Sequence, residues 1–353
     1  MSESSQPNSD QINKLLANKK AHEKQLTPEI LFKKIRSGDK SGLSEAITLL
    51  ESQRESDVQK AQELLKMVLP HTGNSIRIGI TGVPGVGKST FIETFGKYLI
   101  DQGKRVAVLA IDPSSERSGG SILGDKTRMT ELSNKKDAYI RPTATGGSLG
   151  GVARKTRESI LLCEAAGFDV ILVETVGVGQ SEIAVHSMTD FFLLLMLAGA
   201  GDELQGIKRG IMEMADSILI TKADGDNIKN ANAARSEFKA ALHLFPPHDN
   251  NWVPKVETVS ALDGKGMDTT WEILNAFQAL VIPSGWFEQK RLSQQEFWMK
   301  ETLKDVLLSD FYSFPGIKEK IKEVTKKLNQ SEITSYQASE IVMKFYNEQK
   351  KNL

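Results

Sequence analysis

Apolar and polar positions are arranged along the chain in two distinct patterns, and each pattern predicts a different kind of secondary structure. Between residues 26 and 70, apolar positions recur at helical spacing. Thr27-Pro28-Glu29 places a hydroxyl cap before a proline in the first turn of a helix. We therefore expect two or three amphipathic helices over residues 26–73. Residues 1–25 are polar and predict a mobile tail.

From residue 74 the pattern changes to short apolar runs that are separated by helical segments. The seven runs are SIRIGIT, RVAVLAID, AYIRPT, FDVILVET, DFFLLLML, DSILITKAD and KVETVSA. Runs rich in Val, Ile and Leu without alternation are typical of strands buried on both faces of a parallel sheet. Helical segments between such strands indicate βαβ units. The sequence predicts an α/β domain over residues 74–282, with a mostly parallel sheet flanked by helices.

The last part of the chain, residues 283–353, is again helical and charged in pattern. It carries more aromatic residues than a lone solvated helix should. They are Trp286, Phe287, Phe297, Trp298, Phe311 and Tyr312. Two interpretations stay open at this point: a helical extension that packs on the main domain, or an arm that binds a second copy or another partner.

Composition narrows the class of protein. Lys and Arg total 45 and Asp and Glu total 45, so no global field favours nucleic acid or an anionic membrane. The single cysteine, Cys163, excludes an intramolecular disulfide. The run FFLLLMLA is too short to span a bilayer, and the first ten residues lack the apolar core of a signal peptide. We expect a cytoplasmic protein with no nucleic-acid or membrane partner.

A phosphate-binding loop follows the first predicted strand and precedes a predicted helix. The segment GVPGVGKS fits G-x-x-x-x-G-K-[ST] at every fixed position. Glycines let backbone N–H groups converge on phosphate oxygens, while the lysine reaches the β- and γ-phosphates and the serine offers its hydroxyl to Mg²⁺. The predicted phosphate-binding residues are Gly82, Val83, Pro84, Gly85, Val86, Gly87, Lys88, Ser89 and Thr90.

A Mg²⁺ site beside this loop needs carboxylates at the carboxyl ends of strands. Asp112, Glu174 and Asp224 each end an apolar run, whereas Asp169 and Asp216 begin one and would face the opposite edge. Glu174 takes the Walker B position, where Asp is commoner. The segment that follows it contains Gly177, whose N–H can reach a γ-phosphate and sense hydrolysis.

The segment TKAD at residues 221–224 predicts which nucleotide base the protein binds. A carboxylate at a strand end, here Asp224, can accept two hydrogen bonds from guanine, and adenine offers no matching pair of donors. The stem of Lys222 can lie over the ring. Thr221 replaces the more usual Asn. Whether this replacement weakens the anchoring of the loop or of the base stays open. The segment Ser260, Ala261 and Leu262 follows the next strand and suits a loop that donates to the guanine oxygen, so GTP is favoured over ATP.

Two glycine-rich charged segments have the composition of switch loops. Residues 113–129 include Asp125, which could join the metal shell, and residues 198–210 include Lys208. Solvated loops without a function would have the same composition. The five histidines are scattered, with only a weak pair at His243 and His248, so a transition-metal site is not favoured.

These motifs together resemble one family, the MeaB/ArgK group, whose human relative is the methylmalonic aciduria type A protein. The resemblance rests on segments that occur in order between residues 77 and 266. They include RIGITGVPGVGKSTFIE, VLAIDPSS, GGSILGDKTRM, RPTATGGSLGG, VETVGVGQSE, AGAGDELQGIKRGI, TKADGDN and SALDGKG.

The resemblance implies a homodimeric P-loop GTPase that serves as chaperone of an adenosylcobalamin-dependent acyl-CoA mutase, usually methylmalonyl-CoA mutase. The protein would contact adenosylcobalamin only through the mutase. By motif, the Mg²⁺ shell would be Ser89, Asp112, Asp125 and Glu174. Lys208 would swing towards the nucleotide from a switch that senses the mutase, and residues 283–353 would form the dimer arm.

A second class of function stays open from the sequence. A kinase or ATPase linked to the transport of lysine, arginine or ornithine would share the phosphate-binding loop. It would need a pocket for its acceptor substrate and a preference for ATP, and the TKAD segment argues against that preference.

Overall fold

A seven-stranded parallel sheet organises the main part of the chain in the computed structural model, which describes residues 26–111, 129–142, 149–175, 181–199, 209–246 and 248–351. The strand order is β3-β2-β4-β1-β5-β6-β7. The strands are β1 (Ile76–Gly82), β2 (Val106–Ile111), β3 (Ala138–Pro142), β4 (Val170–Thr175), β5 (Phe191–Leu197), β6 (Ser217–Thr221) and β7 (Lys255–Thr258). All seven predicted strands are present, and the predicted fold class is confirmed.

Helices precede, connect and follow the strands. The first six are α1 (Pro28–Arg36), α2 (Lys40–Glu51), α3 (Glu55–Val68), α4 (Lys88–Asp101), α5 (Thr130–Ser133) and α6 (Leu149–Ala165). The next four are α7 (Ser181–His186), α8 (Arg209–Met214), α9 (Ile228–Leu242) and α10 (Met267–Val281). The last three are α11 (Trp286–Ser313), α12 (Ile317–Asn329) and α13 (Ser335–Lys351). Short 3₁₀ turns occupy Leu69–His71 and Gly225–Asn227.

The helices cover the sheet in two layers, because its strands are apolar on both faces. On one face, Ile76, Ile78 and Ile80 of β1 share a core with Phe91 of α4 and Phe277 of α10. On the other face, α6 contacts α7, α9 packs on β6 and β7, and α1, α2 and α3 pack on one another and on α6. The Thr27 hydroxyl caps α1 by accepting the Ile30 N–H at 3.4 Å, as the sequence predicts.

Aspartates at the amino edge of the sheet complete its hydrogen bonding. Asp169, Asp190 and Asp216 each stand directly before a strand and accept a backbone N–H at the start of the neighbouring strand. The three distances are 2.7 Å from Arg105 N, 2.8 Å from Arg77 N and 2.8 Å from Phe192 N. Asp169 and Asp216 therefore lie at the edge away from the phosphate-binding loop, as their place in the sequence indicates, and they act there as structural acceptors.

A buried ion cluster ties the start of α11 to the amino edge of the sheet. Arg77 of β1 bonds Glu164 of α6 through two nitrogens at 2.9 and 3.0 Å. Arg291 of α11 bonds Asp190 through two nitrogens at 2.9 and 2.7 Å and donates to the Ser75 carbonyl at 2.6 Å. Both carboxylates are almost completely buried, so each depends on its arginine for compensation of its charge.

The chain divides into two compact units, residues 1–292 and 293–353. In the first unit, Trp286 and Phe287 pack against the core of the sheet, so the packing interpretation holds for these two aromatics. The second unit has a core of its own around Ile317, Val324 and Val342. Within the described residues, no helix is long and apolar enough to cross a membrane.

Candidate functional site

The phosphate-binding loop leaves the carboxyl end of the central strand β1 and enters α4. Gly82, Gly85 and Gly87 have φ angles of 155°, 78° and 93°, in the region that side chains disfavour. A Cβ on Gly82 would also collide with the Leu195 carbonyl oxygen of β5. The glycines of the motif are therefore required by the backbone path, and the loop stands where open α/β sheets bind their ligands.

Lys88 folds back over its own loop. Its Nζ donates to the Gly82 carbonyl at 2.7 Å and contacts the Val83 carbonyl at 3.4 Å. Burial lowers the pKa of Lys88, and the negative charges of Glu174 and Glu182 oppose that shift. The ammonium is thus already placed at the loop, where arriving phosphate oxygens can take over its hydrogen bonds.

Ser89 and Glu174 come together beside the loop. The Ser89 hydroxyl donates to Glu174 Oε1 at 3.1 Å, and Glu174 is only 3% exposed at the end of β4. A hydroxyl beside a carboxylate is the oxygen donor set that Mg²⁺ accepts next to a nucleotide. These two residues fit the predicted metal shell. Its other predicted members, Asp112 and Asp125, lie outside the described residues, and no cluster of three acidic, His or Cys ligands occurs among the described ones.

A pair of buried hydroxyls links the end of β4 to the end of β1. The Thr175 hydroxyl donates to Thr81 Oγ1 at 3.0 Å, and both side chains are fully or almost fully buried. Thr175 follows Glu174, and Thr81 precedes the phosphate-binding loop. The hydrogen bond therefore fixes the two strand ends that carry the predicted metal and phosphate ligands.

A cavity of about 190 Å³ opens beside the loop on the side of β6. Its walls come from the loop, from α4 and from the segments after β6 and β7. The lining residues are Val86, Gly87, Thr90, Phe91, Thr221, Lys222, Asp224, Val259, Ala261 and Leu262. The structure thus brings the residues predicted for base recognition together with the residues predicted for phosphate binding.

Asp224 is held in place by Ser260. The Ser260 hydroxyl donates to Asp224 Oδ2 at 2.7 Å and accepts the Asp263 N–H at 3.1 Å. Lys222 has a positive φ of 55°, which is strained for a residue with a side chain. The backbone of this segment is therefore bent and fixed so that one carboxylate stands at the end of the cavity.

Thr221 anchors the phosphate-binding loop. Its hydroxyl donates to the Val86 carbonyl at 2.8 Å and lies 3.2 Å from the Met196 carbonyl of β5. From the sequence, it was open whether the replacement of the usual Asn by Thr weakens the anchoring of the loop. The structure shows that a contact from β6 to the loop is kept.

Several predicted residues lie outside the described part of the chain. They are Asp112, Asp125, Gly177 and Lys208, together with most of the two predicted switch segments. Their roles stay predictions.

Sequence reasoning missed one buried acid near this site. Glu182 of α7 is 3% exposed, and its charge acts on Lys88. The segment QSEIAV gives only a weak signal for it, namely an acidic residue on the apolar side of a short helix.

Comparisons with known proteins agree with this arrangement. The family model described as methylmalonyl Co-A mutase-associated GTPase MeaB matches residues 43–315. A protein described as a probable GTPase from Mycobacterium tuberculosis is 48% identical over 313 residues, 89% of this chain and 93% of the relative. The mitochondrial methylmalonic aciduria type A homolog of Mus musculus is 46% identical over 326 residues, 90% of this chain and 79% of the relative.

One solved structure covers nearly the whole chain. The crystal structure of an LAO/AO transport system kinase has a TM-score of 0.73 and 35% sequence identity, and the match covers 92% of this chain and 98% of that one. With the family model and the named GTPases, this likeness supports a P-loop enzyme that hydrolyses a nucleotide. The chain belongs to the family of methylmalonyl Co-A mutase-associated GTPases of the MeaB type.

Proposed function

We propose that this protein is a Mg²⁺-dependent GTPase that gates adenosylcobalamin loading of an acyl-CoA mutase and protects or reactivates that mutase. Methylmalonyl-CoA mutase is the first candidate for the client. The observation that carries the GTP assignment is the cavity beside the phosphate-binding loop, with Asp224 held at its end by Ser260. The mutase assignment is supported by the names of the family and of its mammalian relative.

In this proposal each part of the site has one task. The loop from Gly82 to Thr90 holds the phosphates through backbone N–H groups, and Lys88 compensates charge on the β- and γ-phosphates. Ser89 and Glu174, with Asp112 and Asp125, hold Mg²⁺, which supplies further compensation of that charge. Gly177 and Lys208 belong to segments that respond to the γ-phosphate.

In this proposal, the site selects guanine because adenine would leave hydrogen-bonding groups of the protein unpaired. Guanine offers two donors to the Asp224 carboxylate, and the backbone of Ser260 to Leu262 can donate to the guanine oxygen. Adenine would leave the partly buried Asp224 carboxylate with the Ser260 hydroxyl but without the two donors that guanine supplies. The cavity therefore favours guanine nucleotides.

The first experiment measures GTP hydrolysis with and without a cobalamin-dependent mutase of the methylmalonyl-CoA type. We expect slow hydrolysis by the protein alone and a changed rate with the mutase, because no arginine finger is evident in the sequence. A mutase that neither binds the protein nor changes its rate would reject the client assignment.

The base assignment is tested separately by Asp224→Asn. The substitution keeps the size of the side chain and removes the charge that accepts from guanine, so GTP affinity should fall about 10- to 100-fold, with little change for ATP. Isothermal titration with GTP, ATP and their diphosphates measures this. The Lys88→Ala variant is the control that loses both nucleotides. Full GTP preference in Asp224→Asn would contradict the assignment.

A kinase or ATPase linked to amino-acid transport is the second candidate, because the solved structure that covers 92% of this chain is described as a transport system kinase. It predicts an ATP preference and transfer of the γ-phosphoryl group to an acceptor other than water. The same titration separates the two candidates, and release of all phosphate from GTP as inorganic phosphate would argue against a kinase.

We also propose that the protein is a homodimer that associates through α11. Apolar side chains on this helix are more than half exposed at Met299, Leu303, Val306 and Leu307. At 100° per residue these four positions share one side of the helix. An exposed apolar stripe of this length is typical of a surface that a partner covers, and a second copy of α11 offers a matching stripe.

A further inference from the structure

Thr94 of α4 makes a hydrogen bond that its helix does not require. Threonine hydroxyls inside a helix can donate to the carbonyl four residues earlier, and Thr48, Thr156 and Thr325 do so at 2.8, 3.0 and 2.8 Å. The Thr94 hydroxyl instead donates to the Ala261 carbonyl at 2.9 Å. These two residues are 167 positions apart in the chain, so the bond ties α4 to the loop that follows β7.

Thr94 stands on the side of α4 that faces the cavity beside the phosphate-binding loop. It is one turn after Thr90 and Phe91, which both line that cavity. Residues three and four positions apart share one face of a helix. Ala261 lines the same cavity. The hydrogen bond therefore joins the wall that α4 builds to the wall that the loop after β7 builds.

The loop after β7 is fixed at Ser260, and its next part is more exposed. The Ser260 N–H donates to the Lys265 carbonyl at 3.1 Å, and the Ser260 hydroxyl holds Asp224. Leu262 is 80% exposed, so its side chain contributes little packing. The Ala261 carbonyl and the Leu262 N–H belong to one planar peptide group. A hydrogen bond to that carbonyl therefore fixes the direction of the peptide group where packing does not.

We propose that Thr94 is a positioning residue that holds the backbone donors of this loop towards O6 of the guanine base and so contributes to the selection of guanine. This inference rests on the proposed GTP site, in which the Asp224 carboxylate accepts from N1 and N2 of guanine and the loop donates to O6. The bond also links the base to the phosphates, because α4 begins with Lys88 and Ser89 of the phosphate-binding loop.

This role changes base selectivity, whereas a purely structural role would lower the affinity for every nucleotide alike. Thr94→Val keeps the shape of the side chain and removes the donor, so the affinity for GDP should fall about three- to tenfold. Inosine diphosphate keeps O6 and lacks only the 2-amino group, so its affinity should fall by the same factor. In 6-thio-GDP a larger and weaker acceptor replaces O6, so its affinity should change less than about twofold.

Isothermal titration of the full chain with GDP, inosine diphosphate, 6-thio-GDP and ADP, in the presence of Mg²⁺, measures these affinities. Thr94→Ser keeps the hydroxyl and should restore the wild-type ratio of GDP affinity to 6-thio-GDP affinity. Thr325→Val is the matched control, because it removes a hydroxyl that bonds within its own helix, and it should change neither affinity. Thr94→Ala also removes the hydroxyl and replaces Thr94→Val if that variant does not fold.

The outcomes separate this role from the proposed function. A fall confined to GDP and inosine diphosphate, with rescue by Thr94→Ser, supports the role of Thr94. Equal losses for GDP and 6-thio-GDP, no loss for GDP, or a loss that Thr94→Ser shares would overturn it while the guanine site stands. A wild-type protein that binds ADP as tightly as GDP, or that binds neither, rejects the guanine site and this role together.

Discussion

At the scale of single residues, Thr221 shows how a departure from a motif can keep its function. The usual Asn reaches the loop with an amide, whereas Thr221 does so with a shorter hydroxyl that donates to the Val86 carbonyl. Thr221 is 5% exposed, so water cannot replace this hydrogen bond cheaply. The loop is therefore anchored from β6, the strand that also carries Asp224.

Thr221→Val tests this anchor. The substitution keeps the shape of the side chain and leaves the Val86 carbonyl without its donor, at a cost of about 0.5–1.5 kcal/mol for a neutral hydrogen bond. We expect GDP and GTP affinity to fall about two- to tenfold, because the loop loses its preorganised path. Titration with labelled GDP measures this. Thr221→Ser keeps the hydroxyl and should bind like the wild type, and equal affinity for all three proteins would remove the anchoring role.

The sequence predicted some residues of the site and could not predict others. The loop glycines, Lys88 and Asp224 belong to motifs with fixed spacing, so they could be recognised without a structure. Glu182 belongs to no such motif, because its electrostatic effect on Lys88 depends on the packing of α7 against β1 and β4. The Thr81–Thr175 pair is likewise a contact between strands that stand about 90 positions apart.

At the scale of elements, the ion cluster around Arg291 fixes α11 to strands that are far from it in sequence. Arg291 joins Asp190 and the carbonyls of Gly73 and Ser75. Asp190 precedes β5, and Ser75 precedes β1. The start of α11 is therefore bonded to the segments before β1 and β5, the strands that lead to the phosphate-binding loop and to the predicted switch at residues 198–210.

Arg291→Met should destabilise the protein by about 3–5 kcal/mol, because the buried Asp190 carboxylate loses its ion-pair partner and keeps only the Arg77 backbone N–H and the nearby Arg77 charge. Urea unfolding followed by circular dichroism measures the free energy. Arg235→Met is the matched control, since Arg235 and Glu257 form a pair that is 41% and 37% exposed and should contribute less than about 1 kcal/mol. Similar losses of unfolding free energy in both variants would show that the buried cluster contributes no more than an exposed ion pair.

The strands were predictable for a physical reason. Apart from the edge strand β7, each is a run of mostly apolar residues that are buried on both faces, and such a run can be recognised without knowing its neighbours. Strand order is different, since it depends on which runs meet in space. The order of the strands was therefore not predictable from the runs themselves. The short helix α5 and the extent of α11 also depend on packing that local patterns do not contain.

At the scale of the whole molecule, the two units of the chain differ in how they bury apolar surface. The first unit buries large aromatic side chains such as Phe91, Phe191 and Phe277 completely between the sheet and its helices. The second unit, residues 293–353, has a small core of three buried residues with partly buried neighbours. A unit of this size with exposed apolar side chains on α11 gains stability when a partner covers them.

The paired substitution Leu303→Glu and Val306→Glu tests whether that partner is a second copy. Both side chains are 55% exposed, so the change introduces little strain within the protomer, and it places two charges in the proposed interface. We expect the wild type to sediment as a dimer and the variant as a monomer over micromolar concentrations in analytical ultracentrifugation. Ser309→Glu adds a charge to an exposed position of α11 away from the stripe and should stay dimeric. A wild-type monomer would reject the dimer. A variant that stays dimeric would move the interface elsewhere. GTP hydrolysis by a variant that is monomeric would show whether the nucleotide site is complete within one chain.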